Sequence, residues 1–108
     1  MYTHAQRRAD PNVQALRKAA GAWLRSLREG RGLSQRELAS QVGAEYYTLI
    51  SQLETGRGRI LPCRYHAWAK ALEVNPRLFV KSLMRYYNPV TYNLLFEDDD
   101  SHSQLSST

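Results

Sequence analysis

The sequence predicts an all-α fold, a compact domain of five helices with a short C-terminal extension, and three observations lead to this prediction. Apolar side chains recur at intervals of three and four residues in successive stretches, which is the period of a helix that buries one face. Helix-start residues precede these stretches, as at Ser34 and Asn75. Glycine or proline follows them, as at Gly43 and Pro89.

The first predicted helix begins at Asp10-Pro11, an N-cap followed by a proline whose missing N–H costs nothing in the first helical turn. It runs to about Glu29. Gly21 interrupts its apolar stripe, and a small residue there would permit another helix to approach closely. The predicted polar side of this helix carries four basic residues, Arg17, Lys18, Arg25 and Arg28.

The next two helices flank a glycine turn. Ser34 and Glu37 have the spacing of a capping box, and Gly43 can take the left-handed conformation that ends a helix. Ile50 and Leu53 then form the apolar side of a third helix. Two short helices joined by a tight turn are a helix-turn-helix unit, here expected at about residues 34–55.

The remaining helices begin at prolines. Pro62 opens the fourth, which runs to Leu72, and Asn75-Pro76 opens the fifth, which runs to Tyr87. The predicted domain therefore spans residues 10–87. The apolar residues 88–96 form the C-terminal extension, which is either a short helix packed on the core or a surface for self-association.

Composition excludes several classes of protein. The 108 residues are enough for one domain, and a single cysteine excludes a disulfide within the chain. No Cys/His cluster has the spacing of a zinc site, and no cofactor is expected. Cys63 is interpreted as an ordinary helix-start residue, with a redox sensor as the alternative. The first ten residues lack a secretory apolar segment and no stretch is long enough to span a membrane, so we expect a cytoplasmic protein.

Charge is unevenly distributed along the chain. The net charge is +5, but residues 97–100 hold four of the ten acidic residues, so residues 1–96 carry 15 basic and 6 acidic residues. A domain this basic attracts polyanions, because phosphate neutralisation releases counterions, although a merely soluble surface is the alternative. Residues 1–9 are predicted to be a disordered basic arm, which either follows a DNA groove or has no contact.

The disordered acidic tail, residues 97–108, has three interpretations: a solubilising segment, a competitor for the basic face, or a docking site for a partner.

The helix-turn-helix resembles that of the lambda-repressor/Cro-like family, also called the XRE family. The resemblance rests on Leu33-Ser34-Gln35, Leu38-Ala39, Val42-Gly43, Ile50-Ser51-Gln52-Leu53-Glu54 and Gly56, in that order. It covers roughly residues 16–73. The family usually has five residues between the turn glycine and the isoleucine, whereas six separate Gly43 from Ile50 here. An insertion between Ala44 and Tyr46 keeps Ile50 and Leu53 on core positions.

The resemblance implies that the second helix of the motif enters the major groove of DNA. Its base-reading residues would be Tyr47, Thr48, Ser51 and Gln52. Their side chains suit this task, since glutamine can pair with adenine and hydroxyl groups can bond to several base edges. Tyr46 either joins these base readers or, with the insertion, is a buried core anchor, which we favour. Leu49 is expected to be core together with Ile50 and Leu53.

Contacts to the DNA backbone are expected at two places. Ser34, Gln35 and Arg36 open the first motif helix, whose free N–H groups favour an anion, and for Ser34 the alternative is helix capping alone. Arg57 and Arg59 lie in a glycine-rich loop that the family places near phosphates, or they are simply solvated. Glu54 matches an acidic position of the family and is expected to pair with an arginine.

The sequence therefore predicts a sequence-specific regulator of transcription that binds double-stranded DNA, most simply a homodimeric repressor on an inverted-repeat operator. The candidate dimer contacts are Tyr86, Tyr87, Tyr92, Leu94, Leu95 and Phe96. The alternative is a protein-interaction module, such as an antitoxin-like or polymerase-binding adaptor, with secondary DNA binding. We do not expect an enzyme, because no carboxylate pair, nucleophile–base set or metal ligand set is evident.

Overall fold

The computed structural model describes residues 11–97, which fold into six α-helices and contain no strand. The helices are α1 Pro11–Gly30, α2 Gln35–Val42, α3 Thr48–Glu54, α4 Tyr65–Leu72, α5 Pro76–Tyr87 and α6 Pro89–Tyr92. A 3₁₀ turn, Pro62–Arg64, precedes α4, and a π-helical turn, Asn93–Glu97, follows α6. The all-α prediction is confirmed. The predicted basic arm and the tail beyond residue 97 lie outside the described residues.

One apolar core joins the helices. Its fully buried large side chains come from α1, α2, α3 and α5, and they are Leu24, Leu38, Ile50, Phe79 and Leu83. Each such side chain contributes about 1.5–3 kcal/mol when it leaves water. Along one edge the ring of Trp23 stacks on Phe79 with 5.5 Å between their centroids. This core fixes the position of the short helix α3 against α1 and α2.

The ends of α2 confirm the predicted caps. The Ser34 hydroxyl accepts a hydrogen bond from the Glu37 N–H at 3.0 Å, and the Glu37 carboxylate accepts one from the Ser34 N–H at 2.8 Å. Gly43 has φ 73° and its N–H bonds to the carbonyls of Ala39 and Ser40. These local bonds satisfy backbone groups that a helix end leaves unpaired.

Gly21 brings α1 against the backbone of α3, as expected of a small residue at that position. A Cβ atom at Gly21 would lie 2.6 Å from both the carbonyl carbon of Glu54 and the carbonyl oxygen of Leu53. That separation is far inside van der Waals contact. The two helices can therefore pack this closely only because residue 21 has no side chain.

Two expectations about the start of the third helix are wrong. Tyr46 is 67% exposed rather than buried, because α3 begins at Thr48 and leaves Tyr46 in the preceding turn. Leu49 is 44% exposed rather than core. At about 100° per residue, Leu49 lies close to Leu53 but far from Ile50 around the helix, so it falls at the edge of the buried side, where it is only partly covered. Both core predictions for Ile50 and Leu53 are confirmed, at 0% and 4% exposure.

The C-terminal extension forms a short helix that packs on α5. The rings of Tyr92 and Phe96 are 5.1 Å apart, and they face cations of α5. At the end of α5, the Tyr87 hydroxyl accepts a hydrogen bond from the Ile60 N–H at 3.1 Å, and burial raises the pKa of Tyr87. Residues 11–97 include no helix that is long and apolar enough to cross a membrane.

Candidate nucleic-acid interface

The four predicted base-reading residues share one side of α3. Thr48 and Gln52 are exposed, Ser51 is half-buried, and Tyr47 is 40% exposed at the position before the helix. Residues three and four apart lie on the same face of a helix, so these side chains form one polar surface. Ile50 and Leu53 hold the opposite side of α3 in the core.

Arg36 of α2 lies over the ring of Tyr47. Its guanidinium carbon is 4.2 Å from the ring centroid, which is a cation–π distance. The two residues line one depression of about 490 Å³, together with Ser40, Glu45 and the exposed Tyr46. The structure therefore brings together Arg36, predicted to contact the DNA backbone, and Tyr47, predicted to contact bases.

A buried ion pair fixes the other end of α3. Arg28 donates to the Glu54 carboxylate from Nε at 2.6 Å and from Nη2 at 3.1 Å, and also from Nη1 to the Leu33 carbonyl at 2.7 Å. Gln35 donates from Nε2 to the same carboxylate at 3.1 Å. The pair thus connects α1, α2 and α3, and it orients the side chain of Gln35.

The expectation that Glu54 pairs with an arginine is confirmed. Arg28, however, was assigned to the polar side of α1, and this assignment is wrong, because only 10% of its side chain is exposed. Hydrogen bonding to Glu54 raises the pKa of Arg28 despite its burial, so the guanidinium stays charged. The sequence does contain an indication that Arg28 is buried, since Ala20, Leu24 and Arg28 are spaced four residues apart on one stripe of α1.

Ser34 caps α2, so its hydroxyl already accepts a hydrogen bond from the helix. The hydrogen bond from the Ser34 backbone N–H lowers the pKa of Glu37. Ser34 and Glu37 are both exposed at the N-terminal end of α2, beside the half-buried Gln35. The hydroxyl can still donate its own proton to an anion there.

The loop after α3 carries Arg57 and Arg59, which are both exposed. Two glycines with positive φ shape this loop, Gly56 at 86° and Gly58 at 122°. Gly56 packs closely on α1, since a Cβ atom there would lie 2.9 Å from the Lys18 backbone nitrogen. Lys18 is exposed beside the loop and was not among the predicted contacts, because its sequence distance from the motif gives no signal.

Within residues 11–97, no group of three or more His, Cys, Asp or Glu side chains could hold a metal ion. Cys63 is an exposed free thiol in the 3₁₀ turn before α4.

Comparisons with known proteins agree with this geometry. A family model described as helix-turn-helix matches residues 24–79. Among solved structures, the chain is similar to the restriction-modification controller protein C.AhdI from Aeromonas hydrophila, with 32% sequence identity and a TM-score of 0.53. The similarity covers 60% of this chain and 96% of that one. No curated protein matches the chain.

Proposed function

The chain belongs to the XRE family of helix-turn-helix transcriptional regulators, which bind DNA, and from this premise we propose that it is a homodimeric repressor. It would bind an inverted-repeat operator through α3 and occlude a promoter. The similarity to a controller protein supports a regulatory role.

The polar outer face of α3 is the observation that carries this proposal. Gln52 is exposed, and its side-chain amide can donate a hydrogen bond to adenine N7 and accept one from adenine N6. Thr48 and Ser51 can bond to several base edges or contact a thymine methyl group. Tyr47 adds a hydroxyl at the leading end of α3 that can reach a base or a phosphate. Each well-formed bidentate pair contributes about 1–3 kcal/mol of discrimination between bases.

We assign contacts with the DNA sugar-phosphate backbone to residues on either side of the polar face of α3. Arg57 and Arg59 are exposed on the loop after α3, and Arg36 is exposed on α2. These three supply charge for phosphates, whereas Ser34 and Gln35 supply hydrogen-bond donors at the start of α2. The Gln35 amide is already oriented by its bond to Glu54, so a contact from it would cost little additional ordering.

The proposed dimer would use the C-terminal extension. Leu94 is 61% exposed and Leu95 is 52% exposed. The other four candidate contacts, Tyr86, Tyr87, Tyr92 and Phe96, already pack within the chain and would mainly support the two leucines. Two-fold pairing would set two α3 helices roughly 34 Å apart, which is one turn of DNA.

Gel-shift titration with fragments from the protein's own promoter region tests this proposal. We expect at least tenfold tighter binding to one inverted-repeat fragment than to random DNA of equal length. Equal affinity for all fragments at every salt concentration would contradict a sequence-specific regulator, because non-specific binding is dominated by salt-dependent phosphate contacts.

A second candidate is a protein-interaction module, because Val90, Leu94 and Leu95 together expose apolar surface at the end of the domain. Sedimentation at micromolar concentration measures the oligomeric state and so distinguishes the repressor from the interaction module. A stable dimer supports the repressor, whereas a monomer that assembles only with a different protein supports the interaction module.

A further inference from the structure

Three cations form a stripe along α5. Arg77, Lys81 and Arg85 are spaced four residues apart, so they lie on one face, one helical turn above the other. Arg77 and Lys81 line a groove of about 510 Å³ between α4 and α5. The groove has an apolar floor that includes Val80 and Met84, and its charged lining residues are basic.

The C-terminal extension runs antiparallel to this stripe. Its aromatic rings contact first Arg85 and then Lys81. Arg85 lies over the ring of Tyr92, with 5.6 Å from its guanidinium carbon to the centroid. One turn further, Lys81 Nζ lies 4.6 Å from the centroid of Phe96. A step of four residues in the extension therefore matches a step of four residues in α5.

If the same register continued by one more step, an acidic residue of the sequence would come next to Arg77. Four residues after Phe96 comes Asp100, the last of the acidic run 97–100. Phe96 itself lines the groove, so the chain leaves the described structure at the edge of a basic surface. Three extended residues span about 10 Å, which exceeds the roughly 5.4 Å of one helical turn between Lys81 and Arg77.

We propose that the acidic run 98–100 docks in this groove, with its carboxylates paired to Arg77 and close to Lys81. The contact continues the ladder that Tyr92 and Phe96 begin. This contact stabilises the packing of the extension on α5 and so keeps Leu94 and Leu95 in a fixed position on the surface. This inference concerns the chain's own tail and does not depend on DNA binding.

A double-mutant cycle in the full chain tests the docking. The variants are Arg77→Gln, the triple substitution Asp98→Asn/Asp99→Asn/Asp100→Asn, and their combination. The triple substitution and Arg77→Gln should each lower the melting temperature by about 2–4 °C, because an exposed charge cluster contributes modestly in a domain of this size. The combination should lower it no further than either change alone, since both remove the same contact.

The control is Lys70→Gln, which removes an exposed cation of α4 that is absent from the groove lining. Its effect should add to that of the triple substitution. At about 1 M NaCl, where the Debye length is roughly 3 Å, the coupling to Arg77 should disappear.

Additive effects of Arg77→Gln and the triple substitution would overturn the proposal. The proposal would also be overturned if the coupling between Arg77→Gln and the triple substitution weakened on dilution of the protein. The tail would then dock on a second copy of the chain rather than on its own α5.

Discussion

Arg28 and Glu54 form a two-pronged ion pair between α1 and α3, with Nε to Oε2 at 2.6 Å and Nη2 to Oε1 at 3.1 Å. The Glu54 side chain is only 3% exposed, and it also accepts from Gln35 of α2. One buried carboxylate thus receives donors from the two helices that flank α3. The orientation of the proposed reading helix depends on this carboxylate.

Arg28→Met should destabilise the fold by about 3–5 kcal/mol, because it leaves the Glu54 carboxylate buried without its cation. Urea unfolding measures this loss. The matched control is Arg25→Met, since Arg25 forms an exposed pair with Glu29 at 3.0 Å. The control should change stability by less than about 1 kcal/mol. Equal losses in the two variants would contradict a structural role for the buried pair.

Gly21→Ala should cost about 1–3 kcal/mol, because its Cβ would meet the backbone of Glu54 and Leu53 and force α1 away from α3. Gly30→Ala is the matched control in the same helix, since a Cβ there meets nothing within 4 Å. It should be neutral or stabilise by up to about 1 kcal/mol. Thermal melts of both variants decide the point, and a Gly21→Ala protein as stable as the wild type would refute close backbone contact.

Glu37 should make stability depend on pH. Its hydrogen bond from the Ser34 N–H lowers the pKa of Glu37 in the folded protein below its ordinary value of 4.5. The stabilisation is therefore present above pH 4.5 and is lost as pH falls through the lowered folded pKa. Glu37→Gln cannot titrate, so the difference in melting temperature between the two proteins should differ between neutral and acidic pH. A constant difference would contradict this account.

Tyr47 should contribute to stability through its ring and to DNA binding through its hydroxyl. Tyr47→Leu removes the ring that Arg36 faces and should cost about 0.5–1 kcal/mol of folding free energy. Tyr47→Phe keeps the ring and should leave stability unchanged, while operator affinity falls about two- to tenfold through one lost hydrogen bond. Unchanged operator binding by Tyr47→Phe would remove the hydroxyl from the proposed interface.

The sequence predicts the local parts of this fold better than the distant ones. The Ser34 and Glu37 capping box and the Gly43 end are short-range, so their residue types suffice to predict them. The burial of Arg28 depends on a partner 26 residues away, and a positively charged residue in a helix is ordinarily assigned to solvent.

The start of α3 was predicted less well for a local reason. Tyr47 precedes the helix without a side-chain cap, so the sequence has no residue that marks the boundary. Tyr46 and Leu49 were consequently assigned to the core. The polar face itself was predictable, because Ile50 and Leu53 fix which side of the helix turns inward.

The affinity of Gln52→Ala for the selected operator tests the central claim most directly. Its control is Gln41→Ala, an exposed glutamine of α2 that lines a different depression with Arg31 and Lys70. We predict that Gln52→Ala loses about 1–3 kcal/mol of operator binding, roughly 5- to 150-fold, while its affinity for random DNA and the affinity of Gln41→Ala stay unchanged. Normal operator binding by both Gln52→Ala and Tyr47→Ala would contradict the assignment of this face of α3 to DNA.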